Sequence, residues 1–214
     1  MYLPKHFEET DVTVLHQLVT SHPLGALVTM TSRGLDANHI PFLIQPQPAP
    51  CGTLHGHIAR ANPLSKDLDR DVDALVIFQG PHAFISPSWY PTKRETGAVV
   101  PTWNYVVVHA HGRVKTIDDP AWIRAHVEAL TNRHEGSRPE PWKVTDAPAD
   151  FVDRLAGALI GLEMPIGRLV GKWKVSQNRS PVDQDGVVEG LMREGSEAAA
   201  QMAELVRHAQ RARG

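Results

Sequence analysis

His55 to Asn62 reads HGHIARAN, and Val99 to Gly112 reads VVPTWNYVVVHAHG. Both stretches place histidines, a tryptophan or an asparagine inside segments whose flanking pattern is that of a β-strand. Side chains on a strand alternate with period two, so His55 shares a face with His57, and His109 with His111. Polar and aromatic side chains gathered on strands can stack on and hydrogen-bond a flat ligand, which points to a site for a planar cofactor.

Outward from these stretches the chain reads as hairpins with helices at the ends. Asp11 to Ser21 has Val12, Leu15, Leu18 and Val19 at helical spacing. Leu24 to Thr31 and Asp36 to Gln45 are expected as a strand pair joined by the turn Ser32-Arg33-Gly34. Thr53 to Ala59 is a third strand, after which Asn62 caps a short helix with Pro63 in its first turn, running through Leu68. Ala74 to Phe78 and His82 to Ser86 are expected as two strands broken at Gly80-Pro81. Pro87 to Pro101, with Trp89 and Tyr90, reads as a loop of about a dozen residues or more, a length that is often functional. Asn104 to Ile117 is the longest strand candidate.

Asp119-Pro120 caps a helix carrying Trp122, Ile123, Val127 and Leu130. Pro148 to about Gly157 is a second helix, with Phe151, Val152 and Leu155 turned inward. Leu159 to Gln177 returns to β character, Ser180-Pro181 caps another helix, and Ser196 to Arg211 is the last. Strands in hairpin order with helices at the ends and in one insertion predict an α+β barrel, mostly antiparallel. Residues 1–214 read as a single domain, with a helical insertion around 119–157 and C-terminal helices over 180–212. No GxGxxG fingerprint is present, which argues against a Rossmann cofactor site.

The 214 residues carry a formal net charge of −2, so no global attraction draws the chain to nucleic acid or an anionic membrane. Cys51 is the only cysteine, which rules out an internal disulfide and suggests a reducing compartment. No apolar run reaches the roughly 20 residues of a membrane-spanning helix, and no signal-peptide core opens the chain, so a cytoplasmic protein is expected.

Two His-x-His pairs suggest a cupin-type metal site, but Ile58 to Asn62 supplies no carboxylate after the first pair, so no metal is assigned. Arg60 and Lys66 flank a strand-to-helix turn whose free N–H groups favour an anion, and a phosphate suits it. Trp89, Tyr90, Trp103 and Tyr105 crowd the long loop, where a flat ligand or a second subunit would cover them. Arg207, Arg211 and Arg213 on the last helix and Lys172 with Lys174 are the basic candidates, without a recognition motif for DNA. Ser32, Ser65, Ser86 and Ser88 lack a nucleophile-elbow context, and no catalytic residue is assigned.

Met1-Tyr2-x-Pro4, His39-Ile40-Pro41, His57 to Pro63, Ile85 to Tyr90, Val100 to Tyr105 and Lys174 to Asn178 together resemble the PaiB-like family of FMN-binding negative transcriptional regulators. The resemblance runs through nearly the whole chain. It implies a split β-barrel of the pyridoxamine-phosphate-oxidase type that holds FMN at a homodimer interface. It further implies phosphate contacts at Arg60, Asn62 and Lys66, with ring contacts from His39, Ile40, Pro41, His57, Ile58 and Ala59. Pro101, Thr102, Trp103 and Asn104 would close the pocket, from the same or the partner subunit. The alternatives are a flavin- or haem-dependent oxidoreductase with no DNA role and a metal-dependent barrel enzyme.

Overall fold

The computed structural model describes residues 1–69 and 71–212; Arg213, one of the basic candidates, lies outside the described residues. The strands are β1 (Glu8–Glu9), β2 (Leu24–Thr31), β3 (Gly34–Pro41), β4 (Leu43–Gln45), β5 (Thr53–Ala59), β6 (Ala74–Ile85), β7 (Thr102–Gly112), β8 (Lys115–Ile117), β9 (Leu159–Pro165) and β10 (Arg168–Lys174). The helices are α1 (Val12–Ser21), α2 (Leu64–Asp67), α3 (Lys93–Thr96), α4 (Pro120–Glu135), α5 (Ala149–Gly157), α6 (Pro181–Glu194) and α7 (Glu197–Arg211). They gather into two compact units, and β6 and β7 each run from one into the other. No described helix is long and apolar enough to cross a membrane.

One unit holds residues 1–18, 79–108 and those from 170 onward. Its strands lie in the order β1-β10-β7-β6. Ser180 and Ser196 cap α6 and α7, their hydroxyls accepting from Asp183 N and Ala199 N. The two helices pack on each other, and Leu191, Met202 and Val206 are fully buried. Gly80 explains why the expected break at Gly80-Pro81 is instead a continuous β6. A Cβ there would lie 2.6 Å from both Leu18 and Val106, so this glycine marks a close approach, not a strand end. The burial alternation slips by one residue past it and the strand carries on to Ile85.

The other unit holds residues 19–78 and 109–169. β2 pairs with β3 from Leu24↔Pro41 to Thr31↔Gly34, and with β6 from Ala26↔Ile77 to Val28↔Leu75. Gly34 has φ +106°, the left-handed conformation that this tight turn needs. A four-stranded sheet runs β4-β5-β9-β8, with α4 against β5 and β9 and α5 against β9. The expected strand Asp36 to Gln45 is divided at Phe42, whose N–H donates to the Pro23 carbonyl and whose ring meets Phe78 edge-on. Beyond it β4 joins a different sheet from β3. Asn104 to Ile117 is likewise two strands, β7 and β8. The expected loop 87–101 contains a 3-10 turn at Pro87–Trp89 and α3.

Candidate functional site

The two faces of the β3-β2-β6 ladder differ sharply. On one, Leu27, Ile40 and Val76 are buried. The opposite face pairs Leu24 with Pro41, Ala26 with His39, Val28 with Ala37 and Met30 with Leu35, followed by Leu75 and Ile77 on β6. None of these is buried, and Leu24 and Leu35 are 62% and 76% exposed. His39 is the only polar side chain among them. An uncovered apolar face of this extent normally marks a ligand or protein interface.

The Arg60–Lys66 turn meets that ladder at Asn38, which pairs with buried Leu27 and lies on the face opposite His39. Asp69 N–H donates to the Met30 carbonyl, and Asn62 Nδ2 donates to Asn38 Oδ1 at 2.9 Å. Asn62 Oδ1 accepts from Leu64 N–H, so Asn62 caps the turn as expected, one residue ahead of the formal Pro63 cap. The helix that follows, α2, is a single turn, so little dipole is available to an anion. Lys66 is exposed. Arg60 is otherwise occupied. Its Nε donates to the Gly157 carbonyl, Nη2 to the Leu159 carbonyl, and Nη1 and Nη2 clamp both oxygens of Asp118 at 2.7 and 2.6 Å. This bidentate pair holds the Asp118 carboxyl below its ordinary range. The guanidinium closes the end of β5 onto β9, and a phosphate would have to displace these partners.

His57, Ile58 and Ala59 do not share a face. Ile58 is buried in the core, whereas His57 and Ala59 border an apolar cavity beneath α4 and α5. His57 Nδ1 meets His126 Nε2 at 3.1 Å, and Trp122 stacks on the His126 ring at 5.2 Å. His55 packs edge-on against Trp122 and lies 3.5 Å from Glu163, which Lys115 also approaches. His126 is almost fully buried, and its Nδ1 finds no partner among the described residues. Burial, reinforced by His57 and His55, pushes its pKa down to about 4. Burial also lowers His57, and it lowers His55 against the opposing pull of Glu163. The cluster is a neutral imidazole network at pH 7, built to hydrogen-bond and not to carry charge.

His109 and His111, the second pair, are lowered mainly by burial, with Arg168 adding to it. Among the described residues no group of three His, Cys, Asp or Glu side chains is placed to hold a metal ion.

The other unit carries Pro101, Thr102, Trp103 and Asn104. Pro101 is exposed, and Trp103 is 53% exposed, flanked by Phe84 and His82 at ring distances of 6.0 and 5.8 Å. Lys174 Nζ donates to Thr102 Oγ1 and to the Trp103 carbonyl. Asn104 is buried, its Nδ2 donating to Ser176 Oγ at 2.9 Å while its Oδ1 has no partner among the described residues. Ser176 has φ +63°, a conformation costly for a non-glycine residue, and its carbonyl accepts from buried Gln184. Burial, Lys172 and Arg179 all depress the Lys174 pKa. Sequence alone gives Lys174 and Ser176 no site role, although both lie in the KVSQN stretch that carries the family resemblance. His126 gave no sequence signal, because it sits on a helix 69 residues from the strand histidine it meets.

Trp89 and Tyr90 do not form an open aromatic cluster with Trp103. Tyr90 is buried with Arg179 over its ring, and Trp89 lies against the glycines of α6.

Residues 1–168 match the family described as "Putative FMN-binding domain". The chain is 34% identical over 242 residues to the uncharacterized protein AN0679 of Emericella nidulans, spanning 97% of this chain and 96% of that one. It is 31% identical over 206 residues to the protease synthase and sporulation protein PAI 2 of Bacillus subtilis, spanning 96% of each. Among solved structures, the flavocytochrome Anf3 of Azotobacter vinelandii has a TM-score of 0.59 at 14% identity, over 80% of this chain and 72% of that one. At that identity the likeness speaks for the fold, an α+β split barrel that is mostly antiparallel, with flanking helices.

Proposed function

The chain belongs to the PaiB-like family of FMN-binding domains, and from that premise we propose that it binds FMN on the uncovered β3-β2-β6 face, as a homodimer. The observation that carries this reading is that apolar face with His39 as its single polar group. A planar isoalloxazine matches it, with His39 and Pro41 beside the ring. The phosphate falls to the Asn62 turn and Lys66, since Arg60 is engaged by Asp118. Burying such a face against a second copy removes the exposed leucines from water, which favours a two-fold dimer. The lone cysteine fits a reducing compartment, and the reading places the protein in the cytoplasm.

Titration with FMN, read by quenching of flavin fluorescence, tests this. Lys66→Ala is expected to weaken FMN at least tenfold, as loss of a charge-assisted hydrogen bond costs roughly 1.5–3 kcal/mol. Val28→Arg sets a charge in the middle of the face and is expected to yield a monomer without bound flavin. A Val28→Arg protein that stays dimeric and binds FMN as tightly as the parent sinks the proposal.

The PAI 2 relative suggests a regulatory role, and a second reading is favoured by the basic residues themselves. On α7, Arg207 and Arg211 both approach Glu204, at 2.9 and 3.7 Å, so the helix presents no unopposed basic stripe. That weighs against a DNA-reading role for α7. The second reading is a flavin- or haem-dependent oxidoreductase without a DNA role, in which the bound cofactor would supply the electron transfer and the protein binding and orientation. Any direct DNA binding is expected to be weak and to fall steeply with salt, because phosphate contacts would dominate it. Nanomolar binding to a promoter duplex at physiological salt, with a preference of about a thousandfold over scrambled sequence, would overturn this second reading.

A further inference from the structure

A cavity of about 390 Å³ lies beneath the insertion helices, on the side of β5 that carries His57. Val127 of α4, Phe151, Val152 and Leu155 of α5, and Trp142 from the link between them form its walls. Three of these were expected from sequence to turn into a core. Instead Phe151 and Leu155 are 43% and 50% exposed, and Trp142 is 47% exposed. Large apolar side chains arranged around a concave space leave apolar area in water that an occupant would remove.

The polar groups at the wall limit what that occupant can be. Arg124 borders the cavity, but its guanidinium is ion-paired with Asp153, so an anionic ligand would have to compete with that carboxylate. His57 has Nδ1 engaged by His126, which leaves Nε2 to meet a ligand atom. Behind it, the buried His126 Nδ1 has no partner among the described residues, so rotating His57 away would strand a second ring nitrogen. The pair therefore holds one neutral hydrogen-bonding group at an otherwise apolar wall.

We infer that this cavity is a second small-molecule site, which takes an uncharged aromatic ligand of one to three rings bearing one hydrogen-bonding group directed at His57. The site is separate from the proposed flavin face and does not depend on it. FMN, with its phosphate and ribityl chain, is a poor occupant of a wall without free charge.

The test uses the full chain saturated with FMN, titrated with 2-naphthol and with naphthalene-2-sulfonate by calorimetry and tryptophan fluorescence. Expected is saturable 2-naphthol binding at one site per chain, with the sulfonate at least tenfold weaker. Leu155→Arg, at a half-exposed position, is expected to weaken 2-naphthol at least tenfold while leaving FMN binding and the melting temperature unchanged. His57→Phe is expected to weaken it about tenfold by removing the hydrogen bond. Unchanged 2-naphthol affinity in either variant, equal binding of the sulfonate, or displacement of 2-naphthol by FMN overturns the assignment.

Discussion

Acidification from pH 7 to pH 4 is expected to cost the folded protein about 3 kcal/mol at one side chain, His126. An unfolded histidine takes up its proton as the pH falls through about 6.5. In the fold His126 takes it up only near pH 4, because the ring is buried and faces His57 and His55. Between those values the unfolded chain binds more protons than the folded one, so stability falls with pH and levels off below about 4. His57 and His55 act in the same direction, since burial lowers both, and Glu163 partly offsets the effect at His55.

Urea unfolding at pH 7, 5 and 4 measures this, with His126→Phe as the control. The variant should lose much less stability across the window than the parent, which separates His126 from the carboxylates that also titrate in acid. Parallel losses in the two proteins would refute the assignment. A direct NMR titration of the His126 ring gives an independent check, and a pKa above 6 would refute it without any variant.

The second large effect reverses a general rule. Replacing a helix-interior glycine by alanine ordinarily stabilises by about 1 kcal/mol. Gly190→Ala in α6 is expected to destabilise by about 2–3 kcal/mol instead, because the site is overpacked. The new Cβ would lie 2.2 to 2.6 Å from three atoms of the Trp89 indole. The same ring's backbone crowds Gly186, where a Cβ would meet the Trp89 carbonyl at 2.0 Å, so the indole cannot retreat along the helix. Thr92, three residues on, is bonded through N–H and Oγ1 to Asp183, which pins this segment to α6. Thermal melting of Gly190→Ala, Trp89→Leu and the double variant reads the coupling. A raised melting temperature in Gly190→Ala would show that the contact is slack.

Where local rules suffice, the chain could be read directly. Thr53 to Ala59 forms a strand with the expected bounds, because apolar and polar residues alternate and a Pro-rich turn and Asn62-Pro63 bracket it. Asp119 and Ser180 cap the helices expected of them, since a cap needs only a side-chain oxygen two or three residues from an N–H. The histidines, Trp103 and Asn104 do lie on strands, whereas Asn62 lies in the turn after β5, and the period of two put His55 and His57 on one face.

What that face looks at was decided only by tertiary structure. His57 could be placed beside a flavin from sequence, yet the face it occupies is roofed by α4, and its ring nitrogen is claimed by His126. Arg60 reads as a phosphate ligand from sequence, and only the fold brings Asp118, 58 residues away, onto both of its terminal guanidinium nitrogens. Gly80 looked like a break until Leu18 and Val106 filled the space where a side chain would be. The physical reason is common to all three. Periodicity and capping are set by neighbours within a few residues, whereas the partner that takes up a side chain's hydrogen bonds or fills its volume comes from elsewhere in the chain.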